Sequence, residues 1–160
     1  MNQAIIDRLS GGVPGVVLKC EEFRGDLTIT VQKDAIVRVC EFLKNDAELS
    51  FDMVIDVCGV DMYRPEGRFE VVYNLYSLKN KGYVRVKVRV EEEDPIVQSV
   101  SGVWPGANWH ERETFDMFGI KFAGHPDLRR LYMPEEFEYH PLRKDFPLGG
   151  IPDSLPLPRR

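Results

Sequence analysis

Cysteine is scarce and scattered: Cys20, Cys40 and Cys58 are the whole complement of a 160-residue chain. Odd in number and widely spaced, they form no CxxC pair and cannot supply a thiolate quartet for zinc or an iron-sulfur cluster from this chain alone. All three read as reduced and structural. Long apolar runs are missing as well. Nothing approaches the roughly 18 residues of a membrane-spanning helix, and the opening MNQAIIDRLSGG has neither a basic n-region nor a long apolar h-region, so the chain is expected to stay in the cytoplasm. Basic residues do not outnumber acidic ones: 21 Lys and Arg against 26 Asp and Glu give a net charge of -5. That sign is wrong for neutralising phosphates, so no nucleic acid is expected as a partner. GxGxxG and GxSxG are absent, and Gly149-Gly150 lacks the lysine, the serine and the preceding strand of a phosphate loop. His110-Glu111 opens like HExxH, but Thr114 stands where the second ligand must be. His110, His125 and His140 are spaced so that only folding could gather them.

What is present is a patterned body of one domain's size, large enough to remove about 70% of its unfolded surface from water without staples. Ile5, Ile6 and Leu9 predict a short amphipathic helix ending at Gly11-Gly12, and Val16 to Cys20 with Leu27 to Val31 flank the turn-like EEFRGD as a first hairpin. Ile36, Val39, Cys40 and Leu43 fall at helical spacing and predict a helix lying on the sheet. Alternation of Phe51, Met53, Ile55 and Val57, and of Phe69, Val71, Tyr73 and Leu75, predicts two central strands. The clearest strand has Val84, Val86, Val88 and Val90 facing the core and Arg85, Lys87 and Arg89 on the other side. Its cations read either as protection of an outer, edge strand or as a docking ladder for an acidic neighbour. The predicted class is α+β: a mixed or antiparallel sheet with helices packed on it.

From Trp104 to Gly119 the sequence is denser in information. Asn108 with Glu111 matches a capping box, and Gly119 is a natural residue for the far end of the helix. Arg112 and Asp116 form an i, i+4 pair, and Glu113 shares a face with Trp109 and Asp116. Crowded carboxylates beside an arginine and an indole can form an acid-base site. They can equally be a polar clamp, which the absence of a pocket-forming motif favours.

The body, residues 1–122, gives way to an arm, 123–160. Seven of the eleven prolines lie in the arm, at 126, 134, 141, 147, 152, 156 and 158. They remove donors and exclude a long helix or an interior strand. Leu128, Tyr132, Phe137, Leu142, Phe146 and further apolar residues nevertheless give the arm more hydrophobic surface than a disordered tail carries. It reads as an extended, partner-covered segment with a reach on the order of 125 Å when fully stretched.

WHERETFDMFGIKFAGHPDLRRLYMPEEFEYHPLRKDFPL, Trp109 to Leu148, resembles the signature region of the respiratory complex I 30-kilodalton subunit family, the C subunit of bacterial NADH-quinone oxidoreductase. Three blocks carry the likeness: Glu111-Arg112-Glu113 with Asp116-Met117-Phe118-Gly119, then His125 to Arg130, then His140 to Pro147. The likeness continues through Phe51 to Asp61, Arg68 to Ser77 and Ser99 to Trp109. Tyr139 departs from the pattern, standing where the family commonly has Gly.

The resemblance implies a non-catalytic structural subunit of the peripheral, hydrophilic arm of a proton-translocating NADH:quinone oxidoreductase, with no cofactor, metal or catalytic residue in this chain. FMN, iron-sulfur clusters and quinone would sit in partner subunits. Partners would be the hydrogenase-like large D subunit and the iron-sulfur B and I subunits, with the chain peripheral to the cytoplasmic face of the inner (cell) membrane. Arg129, Arg130, Arg143 and Lys144 would make interface ion pairs, with Asp145 beside them. Glu111, Arg112, Glu113 and Asp116 would hold the base of the arm against the body, and His125 and His140 would begin turns. Two other readings stay open: the equivalent subunit of a membrane-bound hydrogenase or other-donor dehydrogenase, and a small stand-alone enzyme using Glu113, Asp116 and a histidine.

Overall fold

Apolar periodicity builds most of the elements. In the computed structural model, which describes residues 2–147 and 149, α1 (Asn2–Gly12) buries Ile5 and Leu9, and α2 (Ile36–Asn45), entered through a 3-10 turn, buries Ile36, Val39, Cys40 and Leu43. Strands β1 (Val17–Phe23) and β2 (Asp26–Val31) form the expected hairpin. Its two-residue turn places Arg24 and Gly25 at φ of 52° and 92°, the positive values a tight hairpin turn requires. Then come β3 (Met53–Asp61), β4 (Phe69–Ser77), β5 (Gly82–Val90), a short β6 (Ile96–Gln98), α3 (Ala107–Phe118) and β7 (Lys121–Ala123), which pairs parallel to β6.

The five-stranded sheet runs β1-β2-β5-β4-β3. β2 and β5 pair parallel and the other neighbours antiparallel, so the sheet is mixed as expected. β5 is its central strand, which overturns the edge-protection reading of Arg85, Lys87 and Arg89. Arg85 and Lys87 instead bond to a neighbouring strand: Arg85 Nε donates to Asn74 at 3.1 Å and Lys87 Nζ to Glu70 at 3.3 Å. Of the two strands expected to be central, β4 is an interior strand beside β5 and β3 lies at the edge. A register shift between Val54 and Asp56 also breaks the alternation expected of β3, leaving Met53 and Ile55 exposed while Val57 is buried.

One face of the sheet carries the core. Ile29, Val57, Val71, Tyr73, Val86 and Val88 are buried on it with the apolar stripes of α1 and α2. Helix α3 crosses β3 on this same face. Thr114 Oγ1 donates to the Val57 carbonyl at 3.2 Å, and a Cβ on Gly59 would meet the Phe118 ring at 2.7 Å, so glycine there sets the depth of the helix. Trp104 anchors the start of α3 by donating from Nε1 to the Phe51 carbonyl at 3.1 Å.

The capping box does not form. The residue before the helix is Gly106, with no side-chain cap, and Asn108 lies inside the first turn. The helix does end as expected, on Gly119 at φ 76°. Cys40 is in the core, where burial pushes its thiol well up, but Cys20 and Cys58 are exposed, so the structural role expected of all three belongs to Cys40 alone.

Candidate functional site

The functional residues expected from the sequence converge where residues 125–147 meet α3. From Gly124 through Pro147 the chain forms turns rather than helix or strand, and over these residues it does not reach away from the body. The remainder of the expected arm, with Pro152, Pro156 and Pro158, lies outside the described residues. The described part is tied down along α3 at four places, in chain order.

The first tie is at His125. Its Nδ1 accepts the Asp127 N–H at 3.0 Å, which leaves Nε2 to carry the hydrogen and donate to the Asn108 carbonyl at 3.1 Å. Glu111 Oε2 lies 4.0 Å from that nitrogen. Glu111 itself is fully buried, accepting from the Val100 N–H at 2.7 Å and the Ser99 hydroxyl at 2.5 Å. Burial with no bonded cation pushes its carboxyl up to about 7, against the pull of those two donors. The side chain expected to complete a capping box therefore braces the loop ahead of the helix instead.

Arg112 makes the second tie. It stacks over Trp109, 4.9 Å from the ring centre, and donates from Nε and Nη2 to the carbonyls of Arg129 and Arg130, each at 3.1 Å. A fork of donors on two successive carbonyls fixes backbone direction, as one ammonium could not. Glu113, the neighbouring candidate, faces solvent.

Asp116 is the centre. Fully buried, its Oδ1 takes Arg130 Nη1 at 2.6 Å, and its Oδ2 takes the backbone N–H groups of Leu131, Tyr132 and Met133 at 2.9, 2.6 and 3.0 Å. Burial pushes this carboxyl up, but the three amides and the guanidinium outweigh it and hold it below the ordinary carboxylate value. Its own carbonyl accepts from His140 Nδ1 at 3.0 Å. Tyr139, which stands where the family commonly has Gly, is not among the described residues with positive φ, so no left-handed turn is needed there.

The fourth tie joins the end of this segment to the sheet. Arg143 Nε donates to the Phe118 carbonyl at 2.6 Å while its guanidinium covers the Phe69 ring at 5.0 Å. A side chain on Gly119 would strike His140 Nε2 and Arg143 Nη2, so this glycine serves both the helix end and the arm's seat. Next to it the Lys144 N–H donates to Asp61 Oδ2 at 2.9 Å, and Asp145 pairs with Arg68 at 2.9 Å. Asp61 and Arg68 are themselves joined by two bonds of 3.2 and 3.0 Å, with Arg68 also reaching Glu92 and lying against Tyr63 and Phe69.

Sequence reasoning missed Asp61 and Arg68 as members of the site. A signal existed: Asp61 shares the inward parity of Val57 and Gly59, and a carboxylate on that face requires a cation. The arginines expected to pair across an interface are placed differently within this chain. Arg130 is committed to Asp116, Arg143 to a carbonyl and a ring, and Arg129 makes an exposed pair with Asp127 at 2.7 Å. Among the described basic and acidic candidates of the 125–147 segment, the side chains of Arg129, Lys144 and Asp145 keep substantial exposure.

The arrangement is a clamp. Each Asp116 oxygen faces donors of its own chain rather than a cavity, which favours the clamp over proton transfer by this pair. Among the described residues no group of histidine, cysteine, aspartate and glutamate is placed to hold a metal ion.

This architecture has relatives. The family model for the respiratory-chain NADH dehydrogenase 30 Kd subunit matches residues 29–152. The chain belongs to that family. The NADH-quinone oxidoreductase C subunit of Roseiflexus sp. (strain RS-1) is 53% identical over 149 residues, covering 93% of this chain and 86% of the relative. The C 2 subunit of the same oxidoreductase from Rhizobium meliloti (strain 1021) is 53% identical over 145 residues, covering 91% and 79%. Among solved structures, the trypsin-resistant fragment (1-134) of Nqo5 superposes with a TM-score of 0.65 at 32% identity, covering 79% of this chain and 98% of the fragment. A chain of the membrane-bound sulfane sulfur reductase, an archaeal respiratory membrane complex, reaches a TM-score of 0.77 at 23% identity over 91% and 85%. The second likeness shows the fold alone. Membership in the 30 Kd subunit family makes this chain a component of a multi-subunit respiratory assembly.

Glu111 gives a first expected result. Its folded-state value of about 7 lies above the ordinary 4.5, so the folded chain binds this proton more tightly than the unfolded one. Stability should fall as pH rises from about 4.5 to about 7 and then level off, a loss on the order of 3 kcal/mol. Glu111→Gln keeps the shape and removes the charge. It should match the wild type near pH 4.5 and exceed it at pH 8 in thermal unfolding. A variant with the wild-type pH slope would refute the assignment.

Proposed function

We propose that this chain is a non-catalytic structural subunit of the peripheral arm of a proton-translocating NADH:quinone oxidoreductase. In this reading it braces the large hydrogenase-like D subunit and the iron-sulfur B and I subunits at the cytoplasmic face of the membrane. FMN, clusters and quinone reside in those and other partners, and this chain contributes geometry. Electron transfer between carriers requires fixed distances, and a segment held at fixed places on a rigid body can impose them.

The observation that carries the reading is the Asp116 clamp. Three consecutive backbone amides and one guanidinium converge on a single buried carboxylate, which rigidifies a turn-rich segment while Tyr132, Tyr139 and Leu142 remain exposed on it. An ordered backbone bearing exposed aromatic and aliphatic groups is suited to being covered by a neighbour. The trypsin resistance named for the Nqo5 fragment fits a stable body.

The test is isolation of the tagged chain from membranes, with identification of the co-purifying subunits. Cluster-bearing and NADH-oxidising partners are expected; purification of the chain alone would sink the reading. The same preparation names the electron donor, which matters because the fold also occurs in the sulfane sulfur reductase complex. Arg143→Ala, which removes the bond to the Phe118 carbonyl and the cover on Phe69, should leave the body folded and lower the recovery of partners several-fold. Unchanged recovery would count against a role for this seat in assembly.

A further inference from the structure

Among the described residues the helices cover only one face of the sheet, and the other face has a pattern of its own. Register aligns a row across all five strands: Phe23 opposite Asp26, Tyr83 opposite Tyr76, and Tyr76 opposite Met53. The parallel register Thr28 to Arg85, continued by two residues, sets Asp26 beside Tyr83. Phe23, Tyr83 and Met53 are 71%, 56% and 43% exposed, and the Tyr76 and Tyr83 rings pack in a tilted pair with 4.6 Å between centres. Five strands at about 4.8 Å spacing make this row, apolar or aromatic on every strand except at Asp26 of β2, about 19 Å long, the length of a helix of about 13 residues.

The next row is polar and internally bonded. Arg85 donates to Asn74 and Thr28, and Asn74 donates to Asp56 at 2.8 Å. Between the rows lies a cleft of about 330 Å³ walled by Ile55, Tyr83, Asp26, Asp56, Asn74 and Arg85. Among the described residues neither Asp26 nor Asp56 has a cation within ion-pair distance. The one guanidinium in the cleft is spent on neutral acceptors. The cleft is therefore acidic inside an apolar rim, a combination that a lysine or arginine carried among apolar side chains would complement.

We propose that this open sheet face docks an amphipathic helix of a partner protein, laid along the Phe23, Tyr83, Tyr76 and Met53 row with a Lys or Arg of that helix entering the cleft between Asp26 and Asp56. A sheet face bearing an apolar stripe is completed by a helix just as its other face is, and a row of aromatic anchors around a polar pocket is the composition of an interface centre. The proposal rests on the assembly reading above and deepens it, because it assigns a second contact surface remote from the clamp.

The experiment places a photoreactive benzoylphenylalanine at position 83 of the full chain and irradiates the assembled complex. A cross-linked partner peptide that alternates apolar residues with Lys or Arg at helical spacing is the expected result. Cross-linking to a second copy of this chain or to lipid, or no cross-link in a complex that retains the chain, overturns the proposal and leaves the assembly reading intact. Absence of every partner from the unsubstituted preparation overturns both. In parallel, Tyr83→Asp should reduce partner recovery about tenfold with the unfolding temperature of the chain unchanged, while Tyr83→Phe retains recovery; equal recovery for all three chains also overturns it.

Discussion

Asp116→Ala is expected to loosen residues 130–133 on α3, the stretch whose backbone amides and guanidinium its carboxylate holds. The substitution strips one carboxylate from four donors at once, leaving Arg130, at 11% side-chain exposure, with only the Tyr139 and Asp116 carbonyls, and three neighbouring amides without their acceptor. Breaking a buried charge pair by deleting one partner costs about 3–5 kcal/mol, and buried donors left unpaired add to it. Urea unfolding should show that loss, and trypsin should cut after Arg129 and Arg130 at rates at which the wild type is still intact. Asp116→Asn, which keeps an oxygen but turns an N–H₂ toward donors, should fall between the two.

The size of this effect depends on pH. The folded-state value of Asp116 lies below the ordinary 3.8, so its contribution is complete above that value and is lost as pH falls through the lower one. Wild type and Asp116→Ala should therefore converge in strong acid. Stability within about 1 kcal/mol of wild type at neutral pH, with unaltered cleavage, would refute the clamp.

Arg68→Met should be of comparable size. It leaves Asp61, 1% exposed in its side chain, with only the Tyr63 and Lys144 amides as donors, and frees Asp145 and Glu92 from their common cation. A loss of about 3–5 kcal/mol is expected. The double variant Arg68→Met, Asp61→Leu should recover only part of it. Replacing a buried pair by apolar residues is often neutral, but here the Tyr63 and Lys144 amides would lose their acceptor. A double-mutant cycle in urea measures the coupling. Full recovery would mean that the Lys144 contact contributes nothing, and that the arm is not joined to the sheet at this point.

Both effects turn on partners distant in sequence, and that separates the legible from the hidden. The valine alternation of β5, the helical spacing of Ile36 to Leu43 and the glycine at the end of α3 are readable because each is local: side-chain period and the φ preference of glycine act within a few residues. The signature blocks likewise point to the family without any knowledge of the fold. Asn108 and Glu111 have the spacing of a cap, but Ser99 and the Val100 amide offer the carboxylate a buried alternative, and the helix begins one residue before Asn108.

Local pattern along the chain dictated which side chains share a face, where α3 stops, and which family the chain belongs to. Long-range packing dictated that β5 is central, since its parallel pairing with β2 joins Thr28 to Arg85, and that Met53 and Ile55 turn outward around the register shift in β3. It also brought the amides of residues 131–133 to Asp116, and both Arg68 and Lys144 to Asp61. The reason is physical: periodicity records only which way a side chain points. A buried charge is stable only with its donors, and those donors can come from any part of the chain that folding brings within reach.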